Sequence, residues 1–208
     1  MTARVIVFGG TFDPVHNGHL AVAEQALEHC DAVQVWFVPA GTPPLRSPAR
    51  APLTARLAML HAATTQRPEL RVMDTESRRA GVSHTIETIT QLHAEHPGVE
   101  LCILLGADAA RNIAEWPGHD QLLSRERFVV VNRSGAQPFL AADAAAVGYD
   151  PARTRLLNIE SPPISASQVR RHVADGESLD GLVPAAVAAL IAELGLYRGS
   201  PAMHNAGG

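Results

Sequence analysis

Two histidines, His16 and His19, stand three residues apart in the stretch GGTFDPVHNGHL (9–20), directly after an apolar run. The two glycines that open the stretch, Gly9 and Gly10, allow a ligand to approach the backbone closely. A helix predicted to begin within the stretch would aim free N–H groups and a partial positive charge at the same place. Each imidazole can donate a hydrogen bond to a phosphoryl oxygen. The stretch therefore predicts a phosphate-binding turn.

Metal binding is the main alternative for the histidine pair, with Asp13 as a neighbouring carboxylate. A zinc site uses three or four ligands at recognisable spacings, and no third ligand accompanies this pair. A tight turn that carries two surface histidines is a second alternative. The stretch lacks the lysine of a Walker A loop and the glycine spacing of the dinucleotide fingerprint. Phosphate binding is the favoured interpretation.

A second segment, PPISASQVRR (162–171), carries a cation that local structure does not explain. Ser165 and Gln168 have the spacing of a capping box, which predicts a helix running to about Asp175. Arg170, in the first turns of that helix, opposes the helix dipole unless an anion is present. A bound phosphate would remove the conflict. The segment therefore predicts the second half of the phosphate site.

Together the two segments resemble the signature motifs of the nucleotidylyltransferase superfamily. The H-x-G-H element matches at His16 and His19, and the I-S-S/A-T-x-I/V-R element matches residues 164–170, with Ser167 in place of the usual threonine. The resemblance implies transfer of a nucleoside monophosphate from a nucleoside triphosphate, with His16, His19 and Arg170 as catalytic residues. The residues that it implies for ATP binding are Gly9, Thr11, His16, His19, Gly106, Asp108, Ile164, Ser165, Ser167 and Arg170.

The segments between these motifs resemble those of bacterial nicotinate mononucleotide adenylyltransferases. SRRAGVSHTIET (77–88) is similar to a family segment that has tyrosine where this chain has His84. LLGADAARNIAEW meets the family's G-A-D…W spacing, and the resemblance implies that the Trp116 ring lies against nicotinate. Arg46 stands where the family usually has lysine. The residues implied for acceptor binding are Gly10, Thr11, Phe12, Arg46, Ser83, His84, Thr85, Trp116 and Arg133.

The implied reaction transfers the adenylyl group of ATP to nicotinate mononucleotide and gives deamido-NAD and pyrophosphate. An acceptor phosphate is already a nucleophile at neutral pH, so we expect in-line attack without a covalent intermediate. We expect Mg²⁺ to be held through the substrate phosphates and water, with no protein metal ligand. Two alternatives stay open. One is a sister adenylyltransferase that uses nicotinamide mononucleotide or phosphopantetheine, and the other is a non-catalytic nucleotide-binding sensor on the same fold.

Six apolar runs alternate with helical patterns along the chain. Runs that are apolar throughout are typical of strands covered on both faces, and the alternation favours a mostly parallel sheet. We therefore predict a Rossmann-like, doubly wound α/β domain over residues 1–198, with a helical C-terminal part at 160–198 and a disordered tail at 199–208. The predicted strands are Arg4–Phe8, Val33–Val38, Leu70–Met73, Glu100–Leu105, Phe128–Val131 and Arg155–Ile159. The predicted helix caps are Thr54, Ser83 or Thr85, and Ser165, and Pro184 is predicted to open a further helix.

Composition narrows the classes of partner. The formal net charge of −4 argues against a general nucleic-acid binder. All 17 basic residues are arginine, so phosphate contacts must come from arginine, histidine, hydroxyl or backbone groups. Cys30 and Cys102 lie in apolar contexts and are expected to be buried thiols in a reducing compartment. We expect a cytoplasmic protein without membrane contacts, and the sequence leaves homo-oligomerisation open.

Overall fold

The computed structural model describes residues 3–41, 48–79, 81–133, 135 and 137–198 of the 208-residue chain. Within this part, six strands form one parallel sheet in the order β3-β2-β1-β4-β5-β6. The strands are β1 (Ala3–Gly10), β2 (Gln34–Pro39), β3 (Leu70–Val72), β4 (Val99–Gly106), β5 (Arg127–Arg133) and β6 (Thr154–Ile159). The strand order reverses between β1 and β4, which is where open α/β sheets bind ligands.

Helices cover both faces of the sheet in the described part of the chain. The α-helices are α1 (Asn17–His29), α2 (Leu53–Thr64), α3 (Thr85–Glu95), α4 (Ala107–Arg111), α5 (His119–Arg125), α6 (Ala141–Ala146), α7 (Ala166–Asp175) and α8 (Ala185–Glu193). Successive β1 residues serve opposite faces. Ile6 packs into a core shared with α1, α2, α7 and α8, whereas Val5 and Val7 pack into a core shared with α3 to α6. This alternation explains why the strands are apolar throughout.

The predicted fold is confirmed: each of the six predicted strands is present, with bounds shifted by at most a few residues. The prediction that α7 begins after Ser165 is also confirmed, because the Ser165 hydroxyl accepts the Gln168 N–H at 3.1 Å. Pro184 is the N-cap of α8, as predicted. Both cysteines are buried free thiols. No helix in the described ranges has the length and apolarity that a membrane span requires.

Two predicted helix caps are wrong. The N-cap of α2 is Pro52, so Thr54 lies inside the first turn and its hydroxyl does not cap the helix. The N-cap of α3 is His84, which lies between the two predicted positions, and the Glu87 carboxylate accepts the His84 backbone N–H at 3.5 Å. In both cases backbone geometry places a residue with a weak capping preference at the cap, because tertiary packing sets where each helix starts.

Candidate active site

Two adjoining cavities open at the carboxyl ends of the central strands. The larger has a volume of about 680 Å³, and the smaller has a volume of about 370 Å³. Both are bounded by Gly9, Gly10 and Thr11 at the end of β1, by Asp108 at the start of α4, and by Trp116. A molecule that filled both cavities would pass directly over the end of β1.

The loop from β1 to α1 forms one wall of the larger cavity and places the two histidines together. His16 is the N-cap of α1, and its ring stacks on the ring of His19 with 3.7 Å between ring centroids. The backbone N–H of His16 donates to Nδ1 of His19 at 3.3 Å. Because that nitrogen accepts, the proton of a neutral His19 is on Nε2. His19 lines the larger cavity and can act there as a hydrogen-bond donor.

His16 is neutral at physiological pH. Its side chain is 3% exposed, and burial, followed by the positive charge of Arg133, lowers its pKa from 6.5 to about 4. Its Nδ1 is buried and has no hydrogen-bond partner among the described residues. Gly18 lies against this ring, because a Cβ there would come within 3.1 Å of His16 Nδ1. His16 therefore supports the cavity wall from behind, whereas His19 lies at its surface.

Helix α7 brings Arg170 to the same cavity. The guanidinium donates to the backbone oxygen of Asp13 at 2.6 Å through Nη1 and to the Ser167 hydroxyl at 2.9 Å through Nη2. Both Arg170 and Ser167 line the larger cavity. Ser165 caps α7 with its hydroxyl, and Ile164 is buried in the core, so these two hold the helix start. The structure thus brings together a cation, a hydroxyl and the histidine loop.

The remaining residues predicted for ATP binding lie at the rim. Gly106 ends β4 and Asp108 follows it in α4, and both line the larger cavity. The Asp108 side chain is 90% exposed. Phe12 and Arg133, predicted for the acceptor, also lie on the larger cavity and not on the smaller one. Arg46 lies outside the described residues.

The smaller cavity contains the other residues predicted for the acceptor. Ser83, His84, Thr85 and Trp116 all line it, together with Gly10 and Thr11 from the larger cavity's rim. The Ser83 hydroxyl is buried without a hydrogen-bond partner among the described residues, and so is Nδ1 of His84. The first turn of α3 begins at Thr85, immediately beside these two groups. The end of this cavity is therefore formed by a serine side chain, an imidazole side chain and a helix N-terminus, whose free N–H groups are hydrogen-bond donors.

Sequence reasoning missed a buried carboxylate that shapes the smaller cavity. Glu76 is 9% exposed, and its Oε2 accepts the Gly41 N–H at 3.1 Å while its Oε1 accepts the Thr88 hydroxyl at 2.8 Å. The Thr88 hydroxyl in turn accepts from Arg79 Nη2 at 2.5 Å. Glu76 lies in a short 3₁₀ helix without apolar periodicity, so no sequence signal distinguished it from a surface glutamate.

A second missed group surrounds the Asp13 carboxylate, behind the histidine loop. Asp13 is 5% exposed and accepts hydrogen bonds from the backbone N–H groups of Arg50 and Ala51 and from the Tyr197 hydroxyl. Arg56, which is 2% exposed, donates to the Thr11 backbone oxygen at 2.7 Å. Asp13 was visible as part of the motif, but its partners come from distant parts of the chain that only the fold brings together.

Comparison with known proteins gives consistent matches along most of the chain. The family model described as cytidylyltransferase-like matches residues 7–172. A Bordetella avium protein named "Probable nicotinate-nucleotide adenylyltransferase" is 36% identical over 196 residues, which cover 94% of this chain and 98% of that protein. A Shouchella clausii protein of the same name is 38% identical over 197 residues, which cover 93% and 96% of the two chains.

Solved structures share the fold. The Plasmodium falciparum nicotinic acid mononucleotide adenylyltransferase complexed with NaAD matches with a TM-score of 0.77 at 18% identity, covering 94% of this chain and 97% of that one. The same protein complexed with APC matches with a TM-score of 0.75, again at 18% identity and with the same coverage. At this level of identity the likeness shows a common fold.

Proposed function

We propose that this chain, which belongs to the cytidylyltransferase-like family and is similar over most of its length to proteins named nicotinate-nucleotide adenylyltransferase, transfers the adenylyl group of ATP to nicotinate mononucleotide. The products are deamido-NAD and pyrophosphate. The observation that carries the proposal is the pair of adjoining cavities. One is lined by His19, Ser167 and Arg170, and the other by Trp116 and the start of α3, with the β1 glycines at their junction.

The larger cavity suits the triphosphate. His19 donates through Nε2, Ser167 through its hydroxyl, and Arg170 through a planar guanidinium that matches phosphate oxygens. These donors are fixed before substrate arrives, because the Asp13 backbone oxygen holds Arg170 and the His16 N–H holds His19. Preorganised donors stabilise the charge that develops during transfer without reorganisation.

In-line attack accounts for the reaction without a covalent intermediate. An oxygen of the acceptor phosphate forms a bond to the α-phosphorus of ATP as the bond from that phosphorus to the bridging oxygen breaks, and pyrophosphate leaves with the electron pair. The junction of the cavities at Gly9 and Gly10 would hold the α-phosphorus between acceptor and leaving group. His19 and Arg170 neutralise the departing pyrophosphate.

The smaller cavity favours an acceptor with a ring and a carboxylate. The indole of Trp116 offers a flat apolar surface for the pyridine ring. The N-terminus of α3 lies at this end of the cavity beside Ser83 and His84, and its free N–H groups and partial positive charge favour a nicotinate carboxylate. A nicotinamide group carries no negative charge and presents its own N–H donors to the helix N-terminus, so it would bind this end of the cavity less favourably.

We propose Mg²⁺ as the divalent ion that accompanies ATP. The described ranges contain no cluster of three or more His, Cys, Asp or Glu side chains arranged to hold a metal. Magnesium nevertheless fits, because it takes most of its ligands from phosphate oxygens and water. The exposed Asp108 carboxylate at the rim could accept a hydrogen bond from one of those waters. When bound, the ion supplies positive charge to the triphosphate oxygens.

We also propose that residues 1–198 form one domain with the C-terminal helices as an integral part. Val169 of α7 and Val187 and Ile191 of α8 are buried in the same core as Ile6 of β1. A piece that folded separately would keep its apolar residues in a core of its own.

Comparison of acceptors tests the proposed function. Purified protein is given ATP and Mg²⁺ with nicotinate mononucleotide, nicotinamide mononucleotide or phosphopantetheine, and pyrophosphate release is measured for each. We expect the highest kcat/KM with nicotinate mononucleotide. An equal or higher value with another acceptor would identify a sister enzyme, and ATP binding without pyrophosphate release from any acceptor would identify a sensor.

A further inference from the structure

We propose that Tyr197, close to the end of the described chain, is a positioning residue for triphosphate binding: its hydroxyl holds the Asp13 carboxylate and thereby keeps Arg170 directed at the larger cavity. The inference rests on the proposed role of Arg170 in that cavity. Tyr197 lies 27 residues beyond Arg170 in the sequence and lines neither cavity. Its effect would be transmitted entirely through Asp13.

The hydrogen bonds of Asp13 account for both of its carboxylate oxygens. Oδ1 accepts the Tyr197 hydroxyl at 2.7 Å and the Ala51 N–H at 3.0 Å. Oδ2 accepts the Arg50 N–H at 2.7 Å. Arg170 Nη1 lies 4.0 Å from Oδ2, which is too far for a hydrogen bond. The buried carboxylate is therefore satisfied by three neutral donors, and the nearby guanidinium does not close onto it.

This arrangement matters because Asp13 and the triphosphate compete for the same cation. A buried carboxylate that lost one of its three donors would gain the most by attracting the nearest positive charge. Arg170 is that charge, and it is already anchored to the backbone oxygen of Asp13 at 2.6 Å. A small rotation of the guanidinium would close the 4.0 Å gap and turn its donors away from the cavity. The Tyr197 hydroxyl opposes that rotation.

The backbone conformation and packing of Tyr197 place its hydroxyl beside Asp13. Tyr197 has a φ of +61°, a conformation that a side chain with a Cβ rarely adopts. Its ring is half-buried and packs against the core shared by α1, α2, α7 and α8. Burial and the bond to Asp13 raise the pKa of the phenol, so the hydroxyl stays protonated and remains a donor over the working pH range. The unfavourable backbone conformation is compensated by these contacts.

Direct measurement of ATP binding tests the inference. Tyr197→Phe keeps the ring and removes only the hydroxyl. Calorimetric titration with ATP and Mg²⁺, without acceptor, should show Kd rising about tenfold. This is the scale expected if Arg170 turns away and the triphosphate loses one hydrogen bond from its charged guanidinium. The KM for nicotinate mononucleotide should stay within about twofold, since the smaller cavity is not touched. The adjacent Arg198 donates to the Ala192 backbone oxygen and not to Asp13, so Arg198→Ala is the matched control and should bind ATP as the wild type does.

A double-mutant cycle separates positioning from general destabilisation. If Tyr197 acts through Arg170, Tyr197→Phe should weaken ATP binding in the wild-type background and have little further effect in an Arg170→Gln background. An equal loss in both backgrounds, an unchanged Kd in Tyr197→Phe, or a parallel rise in the KM values of ATP and acceptor would each overturn the inference. A wild-type protein that binds ATP but uses no acceptor would contradict the proposed function and leave this binding test intact.

Discussion

The buried, neutral state of His16 predicts how the stability of the chain responds to acid. Burial is the larger cause and the charge of Arg133 the smaller one, and together they lower the pKa of His16 to about 4 in the folded chain. In the unfolded chain the imidazole regains a pKa of about 6.5. Between these two values the unfolded state binds the proton more readily. The contribution of His16 to stability is therefore intact above about pH 6.5 and is lost as pH falls through about 4.

The magnitude follows from the two pKa values. At about 1.4 kcal/mol for each pH unit between them, His16 accounts for a loss of about 2 kcal/mol at pH 5 and about 3 kcal/mol at pH 4. Domains of this kind are stable by about 5–15 kcal/mol, so the loss is a measurable fraction of the total. Urea unfolding at about pH 7.5 and about pH 5, analysed with a common m-value, would give the difference in unfolding free energy.

Other groups also titrate over this range, so the test compares variants. In His16→Gln the free energy of unfolding should fall by about 2 kcal/mol less than in the wild type between these two pH values. His61→Gln, on the exposed side of α2, serves as the control and should follow the wild type. In Arg133→Gln the pKa of His16 should rise and the acid-induced loss should shrink. Identical losses in the wild type and His16→Gln would refute the claim that this histidine is buried in its neutral form.

Three further changes probe the site. His19→Ala should lower kcat by orders of magnitude with little change in the thermal unfolding midpoint, because its donor acts on developing charge, and near-wild-type turnover would refute that role. Trp116→Ala should raise the KM for the acceptor more than the KM for ATP in steady-state assays, although Trp116 borders both cavities, whereas a rise confined to ATP would refute ring stacking. Gly10→Ala should destabilise the fold by about 1–3 kcal/mol in urea titrations, because its Cβ would lie 2.8 Å from the buried Phe12 ring, whereas Gly9→Ala meets nothing within 4 Å and should not.

Much of the fold could be predicted from the sequence because the signals are local. An apolar run such as Leu101–Leu105 is typical of a strand covered on both faces, and alternation with helical patterns indicates a parallel sheet. The Ser165 cap could be identified in the same way, since its partner is three residues away. The caps of α2 and α3 could not be identified, because Pro52 and His84 are weak capping residues.

The motifs likewise allowed a candidate site to be predicted, because His16 and His19 lie within one turn of backbone and Ser165 to Arg170 within two. Contacts between residues far apart in the sequence became visible only in the folded chain. The tertiary structure revealed Glu76 beneath the smaller cavity and Tyr197 bonded to Asp13 across 184 residues of sequence. Neither contact gives a periodic or short-range signal in the sequence. A buried carboxylate is identified by the donors that surround it, and those donors come together only when the chain folds.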